Sequence, residues 1–357
     1  MITDPSEFRK EAHKMADRIA DYYEQVEKLP VKSQVKPGDV ISKLPPSAPE
    51  TAEDMDAIMN DFDNIIMPGI THWQHPSFFA YFPANTSYPS ILAEMLTATL
   101  AQQGMVWETS PAAAELEERM MEWLKKLCGL PESFTGVIQD TASASTLAAL
   151  LTARERCSNW QINQQGFTDH NKYRVYCTTE THSSIEKAVR IAGFGSSNLV
   201  KIEVDDMFAM KPESLEWTVS ADLKAGFVPC AVVATAGTTS CTAVDPVNEI
   251  GKICARFNVW LHVDGAYAGS AMVLPEMRQY IKGLELADSY VFNPHKWMFT
   301  NFDCSAYFVK DTEALIKTFE ILPEYLKTSS RGQVNDYRDW GVALGRRFRA
   351  LKLWFVL

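Results

Sequence analysis

The sequence predicts an α/β protein with a largely parallel sheet, preceded by helices that have no core of their own. From about residue 136 onward, short β-branched runs alternate with helical stretches such as residues 183–192 and 246–257, as expected for parallel strands joined by crossover helices. Earlier in the chain, helical periodicity occurs without strands. With 357 residues, the chain is long enough for one large core and a smaller attached unit.

Six runs are predicted to be strands of this sheet, because they are rich in β-branched and aromatic residues and are bounded by turn-forming residues. They are residues 173–177, 199–202, 230–235, 259–263, 289–292 and 305–309, the last pairing at the end of the series. Residues 136–138 are predicted to be an apolar lead-in to a polar turn, followed by a helix from about Ala144.

Residues 1–75 are predicted to be an N-terminal helical segment. Asp4, Pro5 and Glu7 have the pattern of a helix start, with a capping acid, a proline at the first helical position and a glutamate three residues after the cap. A second amphipathic segment spans about residues 52–66. Two helices cannot form a core alone, so they must pack on the main domain, residues 76–357, or on a second subunit.

Charge and cysteine usage exclude several classes of protein. The net charge of −11 opposes binding to nucleic acid or to an anionic membrane, because phosphate contacts need clustered Lys and Arg. The sequence lacks an apolar run long enough to span a bilayer, so we expect a cytoplasmic protein with a small-molecule partner. The seven cysteines are scattered and never form a C-x-x-C pair, which favours buried thiols over disulfides or a zinc site. We therefore expect no metal.

Polar residues follow three of the predicted strands. Thr239, Asp264 and Lys296 each lie just beyond a strand, the lysine within Asn293-Pro294-His295-Lys296-Trp297. In open parallel sheets, ligands bind outside the carboxyl ends of the strands. We therefore expect these residues to meet at one edge of the sheet.

Lys296 is the candidate for a covalent bond to a cofactor. An isolated lysine is usually a solvated surface residue, because a buried ammonium is costly. Lys296, however, lies between His295 and Trp297 and precedes Met298 and Phe299. This apolar setting would lower its pKa and make it a Schiff-base amine.

Asp264 is the second candidate. An aspartate after a strand is more often a turn or capping residue. Asp264 instead ends an apolar strand and precedes the small residues Gly265 and Ala266, so a flat ring could lie close to the backbone. An aspartate that faces a pyridinium nitrogen, together with a Schiff-base lysine, is the pair that pyridoxal phosphate requires.

The phosphate of such a cofactor needs backbone N–H groups at the start of a helix. Residues 136–143 provide an apolar lead-in and a polar turn, with hydroxyls at Thr141 and Ser143 before the helix. Taken alone, this segment is more readily an ordinary N-cap, and its place before the strand series favours the phosphate. His182 begins the helix after the strand at 173–177 and could place an imidazole over a planar cofactor, although a capping or core histidine is the commoner case.

These residues lie in motifs that resemble the group II pyridoxal-phosphate decarboxylases. The motifs are residues 181–184, 262–270 and 293–297. Residues 79–83, Trp107 with Ser110-Pro111, and residues 344–349 resemble the aromatic-L-amino-acid branch, and residues 139–143 have a bacterial character. The resemblance extends from about Phe8 to Leu357.

The resemblance implies a role for each matching residue. Lys296 would bind the cofactor, Asp264 would contact its pyridine nitrogen, and His182 would stack on its ring. The residues implied around the phosphate and ring are Ala142, Ser143, Thr239, Ala266, Asn293 and His295. The residues implied to line a pocket for an aromatic side chain are Trp73, Tyr81, Phe82, Pro83, Ala84 and Phe302.

Tyr337 is implied to be the catalytic tyrosine of a mobile loop. Residues 327–340 are polar, with a glycine and few apolar anchors, which is typical of a lid, although an arbitrary tyrosine there would be a surface residue. The implied fold is the aspartate-aminotransferase type. It forms an obligate homodimer in which the N-terminal helices wrap around the neighbouring subunit.

The implied reaction is decarboxylation of an aromatic L-amino acid (tyrosine, tryptophan, phenylalanine or dihydroxyphenylalanine) to its amine and carbon dioxide. Tyr337 favours this reaction over that of an aromatic aldehyde synthase, which consumes oxygen and releases aldehyde, ammonia and peroxide. The aromatic pocket disfavours aminotransferase or desulfurase chemistry. A catalytically inactive chain that keeps the fold is a further alternative.

Some positions depart from the family pattern. Ala84 stands where animal members often have Thr, and Gln103 and Met105 replace residues that are commonly apolar or aromatic, which leaves the substrate open. Family members continue into a small C-terminal α/β domain, whereas this sequence stops in an apolar helical run. We therefore expect that domain to be absent and the apolar side chains of residues 351–355 to be exposed.

Overall fold

The chain forms two compact units, Met1–Pro83 and Ala84–Leu357. The computed structural model describes residues 4–168, 172–321 and 332–357 of these units. The sequence placed the corresponding boundary between residues 75 and 76.

The first unit contains the two helices predicted near the N-terminus. Helix α1 spans Pro5–Gln25, and the Asp4 carboxylate accepts a hydrogen bond from the Ser6 N–H at 3.1 Å, so the predicted cap is confirmed. Helix α2 spans Met55–Asp61 and continues into a π-helical turn, Phe62–Ile66. No residue of α1 is fully buried, in agreement with the expectation that these helices have no core of their own.

The described part of the second unit contains one seven-stranded sheet and the helices around it. The strands are β1 (Thr135–Gln139), β2 (Tyr173–Thr178), β3 (Leu199–Ile202), β4 (Val228–Thr235), β5 (Trp260–Asp264), β6 (Ser289–Phe292) and β7 (Ser305–Val309). The helices are α3 (Tyr88–Leu100), α4 (Pro111–Cys128), α5 (Ala142–Cys157), α6 (Gln161–Gln165), α7 (Ser183–Ile191), α8 (Pro212–Lys224), α9 (Val247–Phe257), α10 (Pro294–Trp297), α11 (Thr312–Phe319) and α12 (Arg349–Val356).

The sheet is largely parallel, as predicted. Its strand order is β1-β7-β6-β5-β4-β2-β3, and β7 alone is antiparallel to its neighbours β1 and β6. All six predicted strands are present, with boundaries that differ by at most two residues. The apolar lead-in at residues 136–138 is part of β1, and the following helix begins at Ala142 rather than Ala144.

Helices cover both faces of the sheet and make two apolar cores. Helices α5 and α7 pack on one face, and α4, α8 and α9 pack on the other. Successive residues of β5 point to opposite faces, so Trp260 joins the core under α5 while Leu261 and Val263 join the core on the other side. His262 and Asp264 therefore share the α5 face with Trp260.

The predicted exposure of residues 351–355 is wrong for Leu351 and Leu353, and Phe355 is partly buried against the core. Leu351 and Leu353 are 7% and 0% exposed, because α12 packs against α3 and α4. Trp354 is 48% exposed, as expected. Among the residues that the structure describes, no helix is long and apolar enough to cross a membrane.

Candidate active site

The ends of three adjacent parallel strands bring the predicted residues to one edge of the sheet. Strands β4, β5 and β6 are neighbours, and Thr235 of β4 pairs in register with Asp264 of β5. Strand β6 ends at Phe292 and leads directly to Asn293 and Lys296. The edge expected from the sequence therefore forms.

Asp264 is the last residue of β5 and is only 5% exposed. Its Oδ1 accepts a hydrogen bond from the Ala266 N–H at 2.9 Å, which fixes the carboxylate against the turn that follows. The Ala266 carbonyl in turn accepts from the Asn293 N–H at 3.2 Å. A Cβ at Gly265 would lie 2.8 Å from the ring of Tyr290, so this close turn requires glycine.

Lys296 lies in the short helix α10, and its backbone N–H donates to the Asn293 carbonyl at 2.9 Å. Burial lowers the pKa of the Lys296 amine, and the charge of Asp264 acts in the opposite direction. The net effect is a pKa below the usual value for lysine. A larger fraction of the amine is then neutral and nucleophilic, as a covalent cofactor bond requires.

His295 is buried beside Lys296. Its Nδ1 accepts a hydrogen bond from the Cys304 N–H at 2.9 Å, which assigns the proton of the neutral ring to Nε2. Burial, with the nearby Lys296 charge, lowers the pKa of His295 to about 4. Phe302 lies against this imidazole, with ring centroids 4.7 Å apart.

The N-terminus of α5 provides the candidate phosphate site. Thr141 is the N-cap, and its hydroxyl accepts from the Ala144 N–H at 3.3 Å. Ala142 and Ser143 are the first helical residues, whose N–H groups have no acceptor within the helix and can bind an anion. The ordinary N-cap and the anion site are thus compatible at this helix.

His182 and Thr239 follow β2 and β4, which are neighbours in the sheet. His182 caps α7, and its Nδ1 accepts from the Ser184 N–H at 3.2 Å. The capping role considered from the sequence is therefore present, and the ring remains exposed. Thr239 is exposed in the turn after β4.

Two buried polar atoms at this edge lack a hydrogen-bond partner among the described residues. They are Asn293 Oδ1 and Thr235 Oγ1, on side chains that are 2% and 3% exposed. Buried polar atoms are normally satisfied, so such atoms indicate a missing ligand or water. These atoms lie at the same edge as Lys296, whose amine has a lowered pKa, and the buried Asp264 carboxylate. Together with the N-terminus of α5, these groups fit pyridoxal phosphate. Thr235 was not among the candidates from the sequence, although its place at the end of β4 was a signal for this edge.

The residues predicted for the substrate ring are divided between the two units. In the first unit, Trp73 stacks on Tyr81 with centroids 5.6 Å apart and meets Phe82 edge-on at 5.3 Å. Pro83 is the last residue of that unit. Ala84 and Phe302 belong to the second unit.

Tyr337 is not on an exposed lid in this structure. It begins a 3-10 helix, Tyr337–Trp340, is 2% exposed and packs edge-on against Trp340 at 5.2 Å. The Arg346 guanidinium lies 4.9 Å from its ring centroid. Two aromatic side chains therefore anchor the C-terminal end of the predicted lid, residues 327–340, in this conformation, and the catalytic role of Tyr337 stays a prediction. Residues 327–331 lie outside the described residues.

Comparisons with known proteins identify the family of this chain. The conserved domain of pyridoxal-dependent decarboxylases matches residues 37–357. A phenylacetaldehyde synthase of Arabidopsis thaliana is 47% identical, over 99% of this chain and 74% of that protein. Tyrosine decarboxylase 2 of Narcissus pseudonarcissus is 46% identical, over 99% of this chain and 72% of that protein.

A solved structure of Oryza sativa TDC with PLP and tryptamine has the same fold. Its TM-score is 0.96 at 39% identity, and the match covers 100% of this chain and 75% of that one. All three are plant proteins, so the bacterial character expected of residues 139–143 finds no support. The chain therefore belongs to the group II pyridoxal-phosphate-dependent decarboxylases, in the aromatic amino acid branch, and its cofactor is pyridoxal 5′-phosphate.

Proposed function

We propose that this protein decarboxylates an aromatic L-amino acid to the corresponding amine, with Lys296 as the cofactor-binding lysine. The observation that carries the proposal is the buried Asp264 carboxylate, which ends β5 and is linked by backbone hydrogen bonds through Ala266 and Asn293 to Lys296. Pyridoxal phosphate, when bound, accepts the electron pair that remains on Cα as carbon dioxide leaves. The chain must therefore hold the cofactor, keep its ring nitrogen protonated and return one proton to Cα.

Asp264 would hold the proton on the ring nitrogen. Its Oδ1 already accepts from the Ala266 N–H, so the carboxylate is oriented before a ligand binds. Ala266 would border the ring, and His182 would stack on it. Lys296 would hold the cofactor through its amine, whose lowered pKa favours the neutral, nucleophilic form.

The phosphate would bind at the N-terminus of α5. The N–H groups of Ala142 and Ser143 point out of the first helical turn, and the helix dipole favours an anion there. Thr239 would add a hydroxyl from the turn after β4. The buried Oδ1 of Asn293 has no hydrogen-bond partner among residues 4–168, 172–321 and 332–357, and His295 presents a neutral ring, so both are proposed as cofactor contacts.

Six residues are proposed for recognition of the substrate's aromatic ring. They are Trp73, Tyr81, Phe82, Pro83, Ala84 and Phe302. Aromatic side chains favour an aromatic substrate through offset or edge-on ring contacts. If Phe302 contacts the substrate ring as proposed, Phe302→Ala should raise KM for an aromatic amino acid more than it lowers kcat, because it removes a ring contact and none of the groups proposed for the reaction.

An aromatic aldehyde synthase is the second candidate function, and the 47% identity to a phenylacetaldehyde synthase favours it. The two reactions share the loss of carbon dioxide and differ in the fate of Cα. Protonation gives the amine, whereas oxygen and water give the aldehyde, ammonia and hydrogen peroxide. Whether a residue of the chain donates a proton to Cα therefore determines which product forms.

The proton donor is proposed to be a tyrosine between residues 320 and 340, where the sequence has two, Tyr325 and Tyr337. The family resemblance assigned this role to Tyr337. Its phenol is buried, and burial raises its pKa well above the usual value, which makes it a weak acid in that position. Tyr325 lies outside the described residues and is the alternative.

We also propose a homodimer in which residues 1–75 wrap around the partner. Helix α1 has no fully buried residue, and Phe8 of its apolar stripe is 61% exposed, so this part of the stripe can contact another subunit. The side chains of Tyr88, Leu92, Leu96 and Leu100 recur at four-residue steps on α3 and are 47–60% exposed. Such a stripe is typical of an interface. Sedimentation analysis of the holoenzyme would measure the mass directly, and a monomer at micromolar concentration would refute the dimer.

The function is tested by incubating the holoenzyme under air with tyrosine, tryptophan, phenylalanine and dihydroxyphenylalanine in turn. Amine, aldehyde and peroxide are quantified from the same reactions. We expect amine in stoichiometric amounts with carbon dioxide. Aldehyde with matching peroxide would establish the synthase instead, and cofactor binding without either product would identify an inactive chain.

A further inference from the structure

His262 is a fully buried histidine that the proposed mechanism does not use. It lies on β5 two residues before Asp264, and its side chain is 0% exposed. Alternate residues of a strand point to the same face, so His262 lies directly behind Asp264 on the α5 side. A buried polar ring is costly unless both nitrogens have partners, so its contacts require an explanation.

Each ring nitrogen of His262 contacts a hydroxyl. Nδ1 lies 2.9 Å from Ser289 Oγ, and Nε2 lies 3.3 Å from Thr146 Oγ1. The Ser289 oxygen also accepts from the Trp260 indole N–H at 3.0 Å. The imidazole is therefore a bridge between two side chains that are themselves fully buried.

The two hydroxyls belong to α5 and β6, the elements that carry or lead to further residues proposed to bind the cofactor. Thr146 is in the second turn of α5, whose first turn provides Ala142 and Ser143. Ser289 begins β6, which leads to Asn293 and Lys296. The His262 ring thus links α5, the candidate phosphate-binding helix, to β5, which ends at Asp264, and to β6, which leads to Lys296.

We propose that His262 is a positioning residue that holds α5, β5 and β6 in the arrangement that the cofactor requires. This inference rests on the proposed function of the site. The cofactor binds through its phosphate, ring nitrogen and aldehyde carbon at the same time, so a shift of any one element weakens all three contacts.

The ring is suited to this task because it stays neutral. Burial lowers the pKa of His262 to about 4, with the charge of Asp264 acting in the opposite direction. A neutral imidazole has one donor and one acceptor, which two hydroxyls can match. A cationic ring behind Asp264 would instead compete with the cofactor's ring nitrogen for the carboxylate.

A matched pair of variants on α5 tests the bridge. Thr146 and Thr152 are both fully buried, but the Thr152 hydroxyl donates to the Ala148 carbonyl of its own helix at 2.8 Å. In the holoenzyme, Thr146→Val should raise the cofactor dissociation constant about tenfold and shift the visible absorption of the bound cofactor. Thr152→Val should change neither quantity. Equal effects of the two variants would overturn the inference.

Changes at His262 provide the second test. His262→Leu should weaken cofactor binding at least as much as Thr146→Val, and His262→Gln should restore part of the loss, because an amide also has a donor and an acceptor. Adding Thr146→Val to His262→Leu should cost nothing further, since the bridge is already gone. If His262→Leu lowers only the thermal stability and leaves the dissociation constant and spectrum unchanged, the role is merely structural.

Wild type and Lys296→Ala are measured in parallel to separate this inference from the proposed function. If wild type does not hold pyridoxal phosphate at Lys296, the proposed function fails and the positioning role fails with it. If wild type holds the cofactor but the His262 and Thr146 variants bind it as tightly as wild type, only the positioning role is refuted.

Discussion

Arg346 and Glu117 form a buried ion pair, with Arg346 Nη2 2.7 Å from Glu117 Oε1 and side chains 6% and 5% exposed. The same carboxylate oxygen accepts from the Ile138 N–H at 2.8 Å, and the guanidinium donates to the Ile138 carbonyl at 2.7 Å. The pair therefore ties α4 and the segment before α12 to β1. Strand β1 leads into Thr141 and the candidate phosphate site. The ion pair therefore fixes the position of the strand that precedes this site.

Arg346→Met should destabilise the fold by about 3–5 kcal/mol, because it leaves the Glu117 carboxylate buried and unpaired. Urea unfolding of wild type and variant measures the difference. The exposed pair of Arg256 and Glu216, 2.8 Å apart with side chains 53% and 45% exposed, is the control. Arg256→Met should cost at most about 1 kcal/mol. Similar losses in both variants would contradict a special role for burial.

Lys296→Ala should abolish the covalent, borohydride-reducible link to the cofactor, because Lys296 follows strand β6 at the edge where Asp264 ends β5, and burial lowers the pKa of its amine. Peptide mapping after reduction measures the link. Lys310→Ala is the control. Lys310 also follows a strand, but β7 runs antiparallel, so this residue lies at the opposite edge of the sheet. A reduced cofactor on a peptide without Lys296 would disprove the assignment.

Asp264→Asn should retain the cofactor and lower the decarboxylation rate at least about a hundredfold, because an amide cannot hold the ring nitrogen protonated. Asp288→Asn is the control, since Asp288 precedes β6 at the other edge, where it accepts from the Leu261 N–H at 2.8 Å. Single-turnover rates at saturating cofactor separate the two variants. Near-normal turnover in Asp264→Asn would remove the carboxylate from the mechanism.

The sequence predicted the parts of the fold that depend on local pattern. The strands from residue 173 onward are short runs rich in β-branched and aromatic residues between turn residues, and the Asp4-Pro5 cap is a local signal. Strand β1 was missed because it is short, begins with Thr135-Gly136 and ends with the polar Gln139. A strand of this kind is recognisable only beside its partner β7.

The contacts that support the site depend on residues far apart in the chain, and the sequence did not predict them. His262 appeared within a family motif, but its bridge requires Thr146 and Ser289 from two other elements. Tyr337 lies in a polar stretch, so its burial against Trp340 was unexpected. A single aromatic pair outweighs the polar residues around it, because burial of apolar area dominates the free energy.

Acidification should weaken the fold through His262. Its pKa of about 4 in the folded state lies below the ordinary value of 6.5, so the unfolded chain binds more protons between these values and stability falls as the pH falls. His262→Gln lacks this effect. The difference in unfolding free energy between wild type and variant should therefore shrink between pH 6.5 and 4, by an amount on the order of 1–3 kcal/mol.

Asp245, whose pKa is raised to about 6 by burial, acts in the opposite direction but equally in both proteins. Urea titrations across this range measure the difference, and a constant difference would exclude His262 as the linked group.

The last prediction concerns the two tyrosines that could protonate Cα. Tyr337 is held by Trp340 and Arg346, and burial makes its phenol a weaker acid, so Tyr337→Phe should keep most amine formation. If Tyr325 is the donor, Tyr325→Phe should lower amine formation on the order of a hundredfold and allow oxygen to react at Cα instead. Aldehyde, ammonia and peroxide should then rise together in that variant alone. Both variants are incubated under air with one aromatic amino acid, and all four products are quantified. Aldehyde from Tyr337→Phe instead would mean that this residue leaves its packed position during turnover and is the donor.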